Sequence, residues 1–270
     1  MRRKLVSLVV VAVSIMMLMA GCASKDKDIL RVGLEAAYPP FNWTQLDDSN
    51  GAVPIDGSKE YAGGFDVEIA KMIAEGLGKK LVIVKTEWTG LIPALLSGKI
   101  DAIIAGMSPW EERKESIDFS DNYYKSDLVM VVKKGGAYEN ATSIQDFSGA
   151  KITAQLNTFH YTVIEQIEGV IQETAMDDFA AMRVALEAGS IDGYVSERPE
   201  GVSASAANEN LVMVEFEDGF EASDNDTAIA VGVRKGSDMT EKINEVLADL
   251  SEEDRISLMD NAILNQPAAE

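Results

Sequence analysis

The chain has 270 residues, 46% of them hydrophobic, and a formal net charge of −21 at pH 7. So acidic a composition disfavours nucleic acid and anionic lipid surfaces as partners. One cysteine, Cys22, and one histidine, His160, exclude an internal disulfide and most zinc or copper sites. We therefore expect no metal and no cofactor, and a fold stabilised by its apolar core.

The amino-terminal segment has the pattern of an export signal. Cations open it, an apolar run follows over residues 5–20, and the run is too short for a transmembrane helix. It ends in Ala20-Gly21-Cys22 and resembles a bacterial lipoprotein signal, in which the cysteine accepts a lipid. We expect a signal over residues 1–22, a tether over 23–28 and a lipid on Cys22 that anchors the protein to the outer face of the cell membrane. An ordinary secretory signal with an incidental cysteine is the alternative.

The rest of the chain alternates strand and helix patterns, which favours an α/β fold with largely parallel sheets. Short apolar runs predict strands over residues 29–34, 81–84, 100–105, 128–132, 152–155, 191–195 and 228–233. Capping residues and helical periodicity predict helices from Asp66 to Gly76, over 91–96, from Ser108 onward, near 157–158, over 179–188, after Pro199 and over 239–250. Residues 45–61 and 135–142, rich in Gly, Asn and Asp, are expected to be the loosest regions.

A short motif occurs twice. Residues 94–102 and 185–193 share an Ala-Leu pair, a glycine and then Ile-Asp before a small residue. This unit is a helix end followed by a buried strand, and two copies indicate two lobes of like topology. Because ligands bind at the carboxyl ends of parallel strands, residues 105–108 of one lobe are expected to face residues 196–198 of the other.

A free amino acid needs a cation for its carboxylate and an anion for its ammonium. Arg113 stands five residues after Ser108, one turn into a predicted helix, and can reach back toward the start of that helix. From spacing alone, a solvated surface arginine is an equally good interpretation.

An ordered series of motifs resembles the family 3 bacterial extracellular solute-binding proteins, which bind polar amino acids for ABC importers. The motifs stand at residues 64–70 (GFDVEIA), 87–95 (EWTGLIPAL), 100–102 (IDA), 106–108 (GMS), 112–114 (ERK), 117–121 (IDFSD) and 123–124 (YY). The resemblance implies an α/β, two-lobe periplasmic-binding-protein-like fold (type II) with a hinge of two crossovers. Its expected boundaries are 29–123 plus 231–264 for lobe I and 128–226 for lobe II.

The resemblance also implies roles for residues of the first lobe. Tyr38 and Trp88 match an aromatic pair that encloses the ligand side chain. Gly106 matches a residue whose carbonyl accepts from the ligand ammonium, and Ser108 a hydroxyl that binds the head group. Arg113 matches the arginine that clamps the carboxylate.

In the second lobe, Thr158 matches a residue whose backbone N–H meets the carboxylate, and Glu197 stands where the family usually has an ammonium-binding aspartate. Gln155 and His160 are further ligand-binding candidates, although a surface position for His160 remains open. Glu35 matches an acidic residue that meets the cationic side chain in basic-amino-acid binders. A carboxylate near two aromatic rings suits a cation.

These matches predict a substrate-binding component with Lys, Arg or ornithine as ligand, and Gln or His as alternatives. Its expected partners are the free amino acid, the permease subunits of an ABC importer and the membrane through the lipid. The enzyme alternative is a cyclohexadienyl-dehydratase-like protein that uses Glu197 or His160 as its acid. One departure from the family pattern is Asn157, where glycine is common; asparagine tolerates a left-handed backbone better than most residues.

Overall fold

The computed structural model describes residues 28–267, so the predicted signal and Cys22 lie outside the described residues. The strands are, in chain order, Ile29–Leu34 (β1), Ala37–Tyr38 (β2), Asn42–Gln45 (β3), Val53–Pro54 (β4), Tyr61–Gly63 (β5), Lys80–Lys85 (β6), Ala102–Ile103 (β7), Ile117–Lys125 (β8), Leu128–Lys133 (β9), Lys151–Thr153 (β10), Ile171–Gln172 (β11), Gly193–Glu197 (β12), Leu211–Val214 (β13) and Ala228–Arg234 (β14). The α-helices are Phe65–Gly76 (α1), Leu91–Leu96 (α2), Glu111–Lys114 (α3), Phe159–Thr162 (α4), Phe179–Glu187 (α5), Arg198–Ala207 (α6), Asp224–Thr227 (α7), Met239–Ala248 (α8) and Glu252–Asn265 (α9).

Two five-stranded sheets organise the chain, in the orders β6-β1-β7-β14-β8 and β11-β10-β12-β9-β13. In each sheet the first three strands are parallel, and the fourth runs antiparallel to both of its neighbours. We call the part built on the first sheet lobe I and the part built on the second sheet lobe II. The shared strand plan agrees with the repeated sequence motif.

The chain crosses between the sheets twice, from β8 to β9 and from α7 to β14. The backbone N–H of Ser126 in the first crossing donates to the carbonyl of Thr227 in the second, at 3.0 Å. The two crossings therefore run side by side. The residue boundaries predicted for the lobes stay a prediction.

A small antiparallel sheet, β2-β3-β5-β4, covers part of residues 37–63 in lobe I. The expectation that residues 45–61 are among the loosest is therefore wrong in part, since β4 and the start of β5 fall within them. The pairing of Tyr38 with Asn42 in β2 and β3 fixes where the Tyr38 ring lies.

The apolar core of lobe I extends into lobe II. Its buried cluster includes Tyr38, Phe41 and Phe65 of lobe I, together with Phe179 and Met182 of α5. A second cluster fills the rest of lobe II under β9, β10 and β12. The lobes thus share buried apolar surface as well as the two crossings.

Two predicted helix starts are wrong. Asp66 does not cap α1, because the helix begins at Phe65 after Gly64. Its buried carboxylate instead accepts hydrogen bonds from Asn42 Nδ2 at 2.8 Å and from the Tyr123 hydroxyl at 2.7 Å. Likewise Ser108 does not cap α3, which begins at Glu111, since the Ser108 hydroxyl accepts from Arg113. A helix that crosses a bilayer must be longer and more apolar than any found within residues 28–267.

Gly64 offers a test of this packing. Its φ is +121°, and a Cβ added there would lie 2.4 Å from the carbonyl oxygen of Phe41. We expect Gly64→Ala to lower the free energy of unfolding by more than about 2 kcal/mol, from backbone strain and overpacking together. Chemical denaturation measures the change.

Gly57 is the matched control, because its φ is +72° and no atom lies within 4 Å of an added Cβ. Gly57→Ala carries the backbone strain without the collision, so a loss equal to that of Gly64→Ala would contradict the packing argument.

Candidate functional site

A buried guanidinium lies where the lobes meet. Arg113, on the single turn of α3, is only 7% exposed. Its Nη1 donates to the carbonyl and the hydroxyl of Ser108, at 2.9 and 3.1 Å, and its Nη2 donates to the carbonyl of Asn157 in lobe II, at 2.8 Å. Burial lowers the pKa of Arg113 to about 10, against the opposing charge of Glu197, so the guanidinium stays cationic at neutral pH.

Two indole rings lie within cation–π distance of this guanidinium. The Cζ atom of Arg113 is 5.0 Å from the centroid of Trp88 and 5.9 Å from that of Trp110. Trp110 also meets Phe159 of lobe II edge to face, with ring centroids 6.4 Å apart. The sequence predicted Trp88 as a site residue, whereas Trp110 falls within the helix predicted from Ser108 onward and was given no role.

The lobe II loop before α4 faces Arg113. Asn157 has a φ of +57°, a left-handed backbone that asparagine tolerates better than most residues. Thr158 follows directly before α4, and its hydroxyl donates to the carbonyl of Gln155 at 2.7 Å. This bond spans Asn157, whose carbonyl accepts from Arg113.

Glu197 supplies the opposite charge from lobe II. It ends β12 and directly precedes α6, and its Oε1 lies 3.3 Å from His160 Nε2. Both side chains are buried. Glu197 Oε2 and His160 Nδ1 have no hydrogen-bond partner among residues 28–267. The charge of Glu197 acts across the lobe boundary to raise the pKa of Arg113, opposite to the effect of burial.

Glu35 carries a second buried carboxylate at the boundary. Its Oε2 accepts from Gln155 Nε2 at 3.2 Å, and the same amide donates to the carbonyl of Asp177 at 3.0 Å. Burial raises the pKa of Glu35 to about 7; the bond from Gln155 opposes the shift, and the nearby carboxylates of Asp178, Glu87 and Asp66 add to it. Within the described chain, Glu35 Oε1 has no hydrogen-bond partner.

Tyr38 packs against lobe II. Its ring stacks on Phe179 of α5, with centroids 4.4 Å apart and planes 5° apart, and Phe41 lies 4.8 Å away at a tilt. Gly106, with a φ of +60°, comes so close that an added Cβ would lie 2.6 Å from the Tyr38 ring. Sequence reasoning predicted Phe179 only as a helix start, because no local signal marks a contact across lobes.

The predicted candidates gather into neighbouring groups at the lobe boundary. Arg113 has Ser108 and Trp88 beside it, Glu35 has Gln155, Glu197 has His160, and Tyr38 has Gly106. Their roles in ligand binding stay predictions. No cluster of three or more His, Cys, Asp or Glu side chains that could hold a metal ion occurs in residues 28–267.

A solved structure of a similar protein matches most of this chain. A crystal structure of an amino acid ABC transporter substrate-binding protein from Streptococcus pneumoniae, bound to L-arginine, superposes with a TM-score of 0.78 at 30% identity, over 90% of this chain and 96% of that one. Such a likeness confirms the predicted two-lobe, type II fold with two crossovers.

Sequence relatives agree. The arginine-binding extracellular protein ArtP of Bacillus subtilis is 27% identical over 91% of this chain and 92% of its own length. A probable histidine-binding protein of Campylobacter jejuni is 34% identical over 68% of this chain and 65% of its own length. Residues 30–264 match the family model of the bacterial extracellular solute-binding proteins, family 3, and the chain belongs to this family.

Proposed function

We propose that this chain captures a free basic amino acid, with arginine as first candidate, between its lobes and delivers it to the permease of an ABC importer. The observation that carries the proposal is the pair of opposite buried charges, Arg113 in lobe I and Glu197 in lobe II. A zwitterionic head group carries the complementary charges on adjacent carbons. A ligand that meets both residues joins the lobes.

The guanidinium suits a carboxylate because it presents its donors in a planar fork. Arg113 is already desolvated and held by Ser108, so little ordering remains when a carboxylate arrives. In this proposal the backbone N–H of Thr158 and the carbonyl of Gly106 complete the contacts to the head group. His160 shares Glu197 with the ligand ammonium.

Glu35 favours a cationic side chain. A buried carboxylate with a raised pKa gains most when a positive charge comes to it, because the ligand then compensates the desolvation of the charged form. In this proposal the rings of Tyr38 and Trp88 also face the ligand side chain, where an aromatic ring favours a cation. Similarity to arginine-binding proteins supports arginine; the histidine-binding relative keeps histidine as the alternative.

Delivery requires the lobes to open and close. We propose lobe I as residues 29–123 plus 231–264, lobe II as 128–226, and the paired crossings at Ser126 and Thr227 as the hinge. The bound amino acid stabilises the closed arrangement, and the permease recognises that arrangement. The chain binds its ligand without converting it, and the Glu197–His160 pair serves the head group rather than proton transfer.

We also propose that the mature protein begins at Cys22 and that a lipid on this residue holds it at the outer face of the cell membrane. The sequence Ala20-Gly21-Cys22 after the apolar run supports this anchor. The family is extracellular, in agreement with an exported chain.

The head-group assignment predicts unequal effects for two adjacent cations. Arg113→Ala leaves a ligand carboxylate buried without its partner, which costs about 2–5 kcal/mol, or roughly 30- to several-thousand-fold in affinity. Glu197→Ala has a similar effect at the ammonium. Calorimetric titration with arginine measures both.

Lys114→Ala is the control, because Lys114 pairs with Glu111 on the outer side of α3 and should lose little affinity. Equal losses of affinity in Arg113→Ala and Lys114→Ala would reject the assignment of Arg113 to the ligand carboxylate.

The raised pKa of Glu35 predicts binding that depends on pH. A cationic ligand binds the ionised carboxylate, and protonation below the pKa of about 7 removes that form. Affinity for arginine should therefore fall by about tenfold between pH 8 and pH 6, with proton release on binding near pH 7. Titration in two buffers of different ionisation enthalpy measures the released protons.

Glu35→Gln should weaken arginine binding by more than about tenfold and flatten this pH profile, while Glu75→Gln, a change at an exposed carboxylate of α1 that does not act on Glu35, keeps it. A Glu35→Gln protein that binds its amino acid as tightly as the wild type identifies a neutral ligand.

The anchor has its own test. Cys22→Ala removes the lipid acceptor, so the variant should leave the membrane fraction for the medium or the periplasm, while Cys22→Ala protein keeps its affinity for the ligand. Fractionation followed by immunoblotting measures the distribution. Unchanged membrane association of the variant contradicts the lipid on Cys22.

A further inference from the structure

Trp110 has a position that the proposed binding scheme does not use. It directly precedes α3, in extended backbone, and is half-buried at the lobe boundary. Its ring centroid lies 5.9 Å from Cζ of Arg113, and Trp88 lies 5.0 Å from the same atom. The guanidinium therefore has two aromatic neighbours as well as the hydrogen bonds to Ser108.

The same indole reaches across the boundary. Trp110 meets Phe159, the first residue of α4 in lobe II, at 6.4 Å and an interplanar angle of 64°. Edge-to-face contacts of this kind stabilise a pair beyond the area that they bury. Phe159 lies two residues after Asn157, whose carbonyl accepts from Arg113. The carbonyl that accepts from Arg113 and the ring that contacts Trp110 thus come from one short segment of lobe II, residues 157–159.

We propose that Trp110 is a positioning residue for the carboxylate clamp. Its indole covers the Arg113 guanidinium and excludes water from it. Because Phe159 of lobe II contacts the indole, the orientation of Trp110 depends on lobe closure. In this proposal Trp110 contacts the Arg113 side chain and does not contact the bound amino acid. This inference rests on the proposed function, since it assigns Trp110 to the residue that we expect to hold the ligand carboxylate.

The physical reason is the weak hydration of the guanidinium. Arg stacks on aromatic faces more readily than Lys, because its charge is spread over a plane. An indole over that plane restricts rotation of the side chain and keeps the donors of Arg113 aimed toward the site. Loss of the indole frees the side chain, and the ligand carboxylate must then order it on binding.

The test compares two probes that differ only in the carboxylate: L-arginine and agmatine, its decarboxylated amine. Both are titrated against the wild type, Trp110→Ala and Trp110→Phe, agmatine in competition with arginine where binding is weak. Trp110→Ala should weaken arginine binding by about 3- to 30-fold, as expected for a lost cation–π contact, and agmatine binding by less than about twofold. Trp110→Phe restores most of the arginine affinity.

Phe159→Ala is the second variant, and it should change the ratio of the two affinities in the same direction as Trp110→Ala, because it removes the contact that orients the indole. The unfolding temperature without ligand is measured for each variant. A ratio of arginine to agmatine affinity that stays at its wild-type value in Trp110→Ala overturns the proposal, whatever the change in stability.

The experiment distinguishes a failure of the proposed function from a failure of the role of Trp110. A wild-type protein that binds neither probe, and no other amino acid in a thermal-shift screen, overturns the proposed function and the inference with it. A wild type that responds to histidine is tested with histidine and histamine in the same way. A wild type that binds its amino acid, with an unchanged affinity ratio in the variants, overturns the role of Trp110 alone.

Discussion

A buried guanidinium shared by two lobes is the constraint on which the site depends. Arg113 belongs to lobe I, yet its Nη2 donates to the carbonyl of Asn157 in lobe II. A buried cation without partners is costly, so every neighbour of Arg113 has to compensate it. Ser108 does so with two oxygens, the indoles with their ring faces, and Glu197 with an opposite charge from across the boundary.

The contacts between the lobes are of different chemical kinds at different places. Glu35 and Gln155 form a polar contact, Tyr38 and Phe179 a parallel stack, and Arg113 a charge-assisted bond to a carbonyl. The stacked rings bury apolar surface between the lobes, whereas the polar contacts constrain how the lobes are aligned. Directional contacts weaken steeply with misalignment, so a small rotation about the crossings breaks them together.

Local patterns allowed much of the fold to be predicted from the sequence. The apolar run at residues 29–34 coincides with β1, and the repeated motif agrees with two sheets of one plan. β8 was absent from the predicted strands, because residues 117–125 mix charged and apolar positions without a clean alternation. The short central strand β7 was predicted too long, since buried residues beside it do not pair as strand.

Of the site residues, too, some were predicted from the sequence and others were missed. Family motifs indicated Arg113 and Glu35, and the left-handed backbone found at Asn157 is one that asparagine tolerates. The Ser108 cap was wrong because spacing suggests a hydrogen bond to the helix but cannot show that Arg113 competes for the same hydroxyl. Phe179 and Trp110 were missed as site residues, because their partners lie far away in sequence and meet only when both lobes are folded.

The place of β14 bears on the order in which the protein can fold. β14 lies between β7 and β8 in the sheet of lobe I, although all of lobe II separates it from them in sequence; the backbone N–H of Val231 on β14 donates to Ser120 on β8, 111 residues earlier. During synthesis β8 has no neighbour in its sheet until the last strand arrives. Pairings at such separation form late because closing a long loop costs entropy first. Lobe I of a nascent chain therefore stays incomplete while lobe II is being made, and its sheet closes only after residues 228–234 have been added.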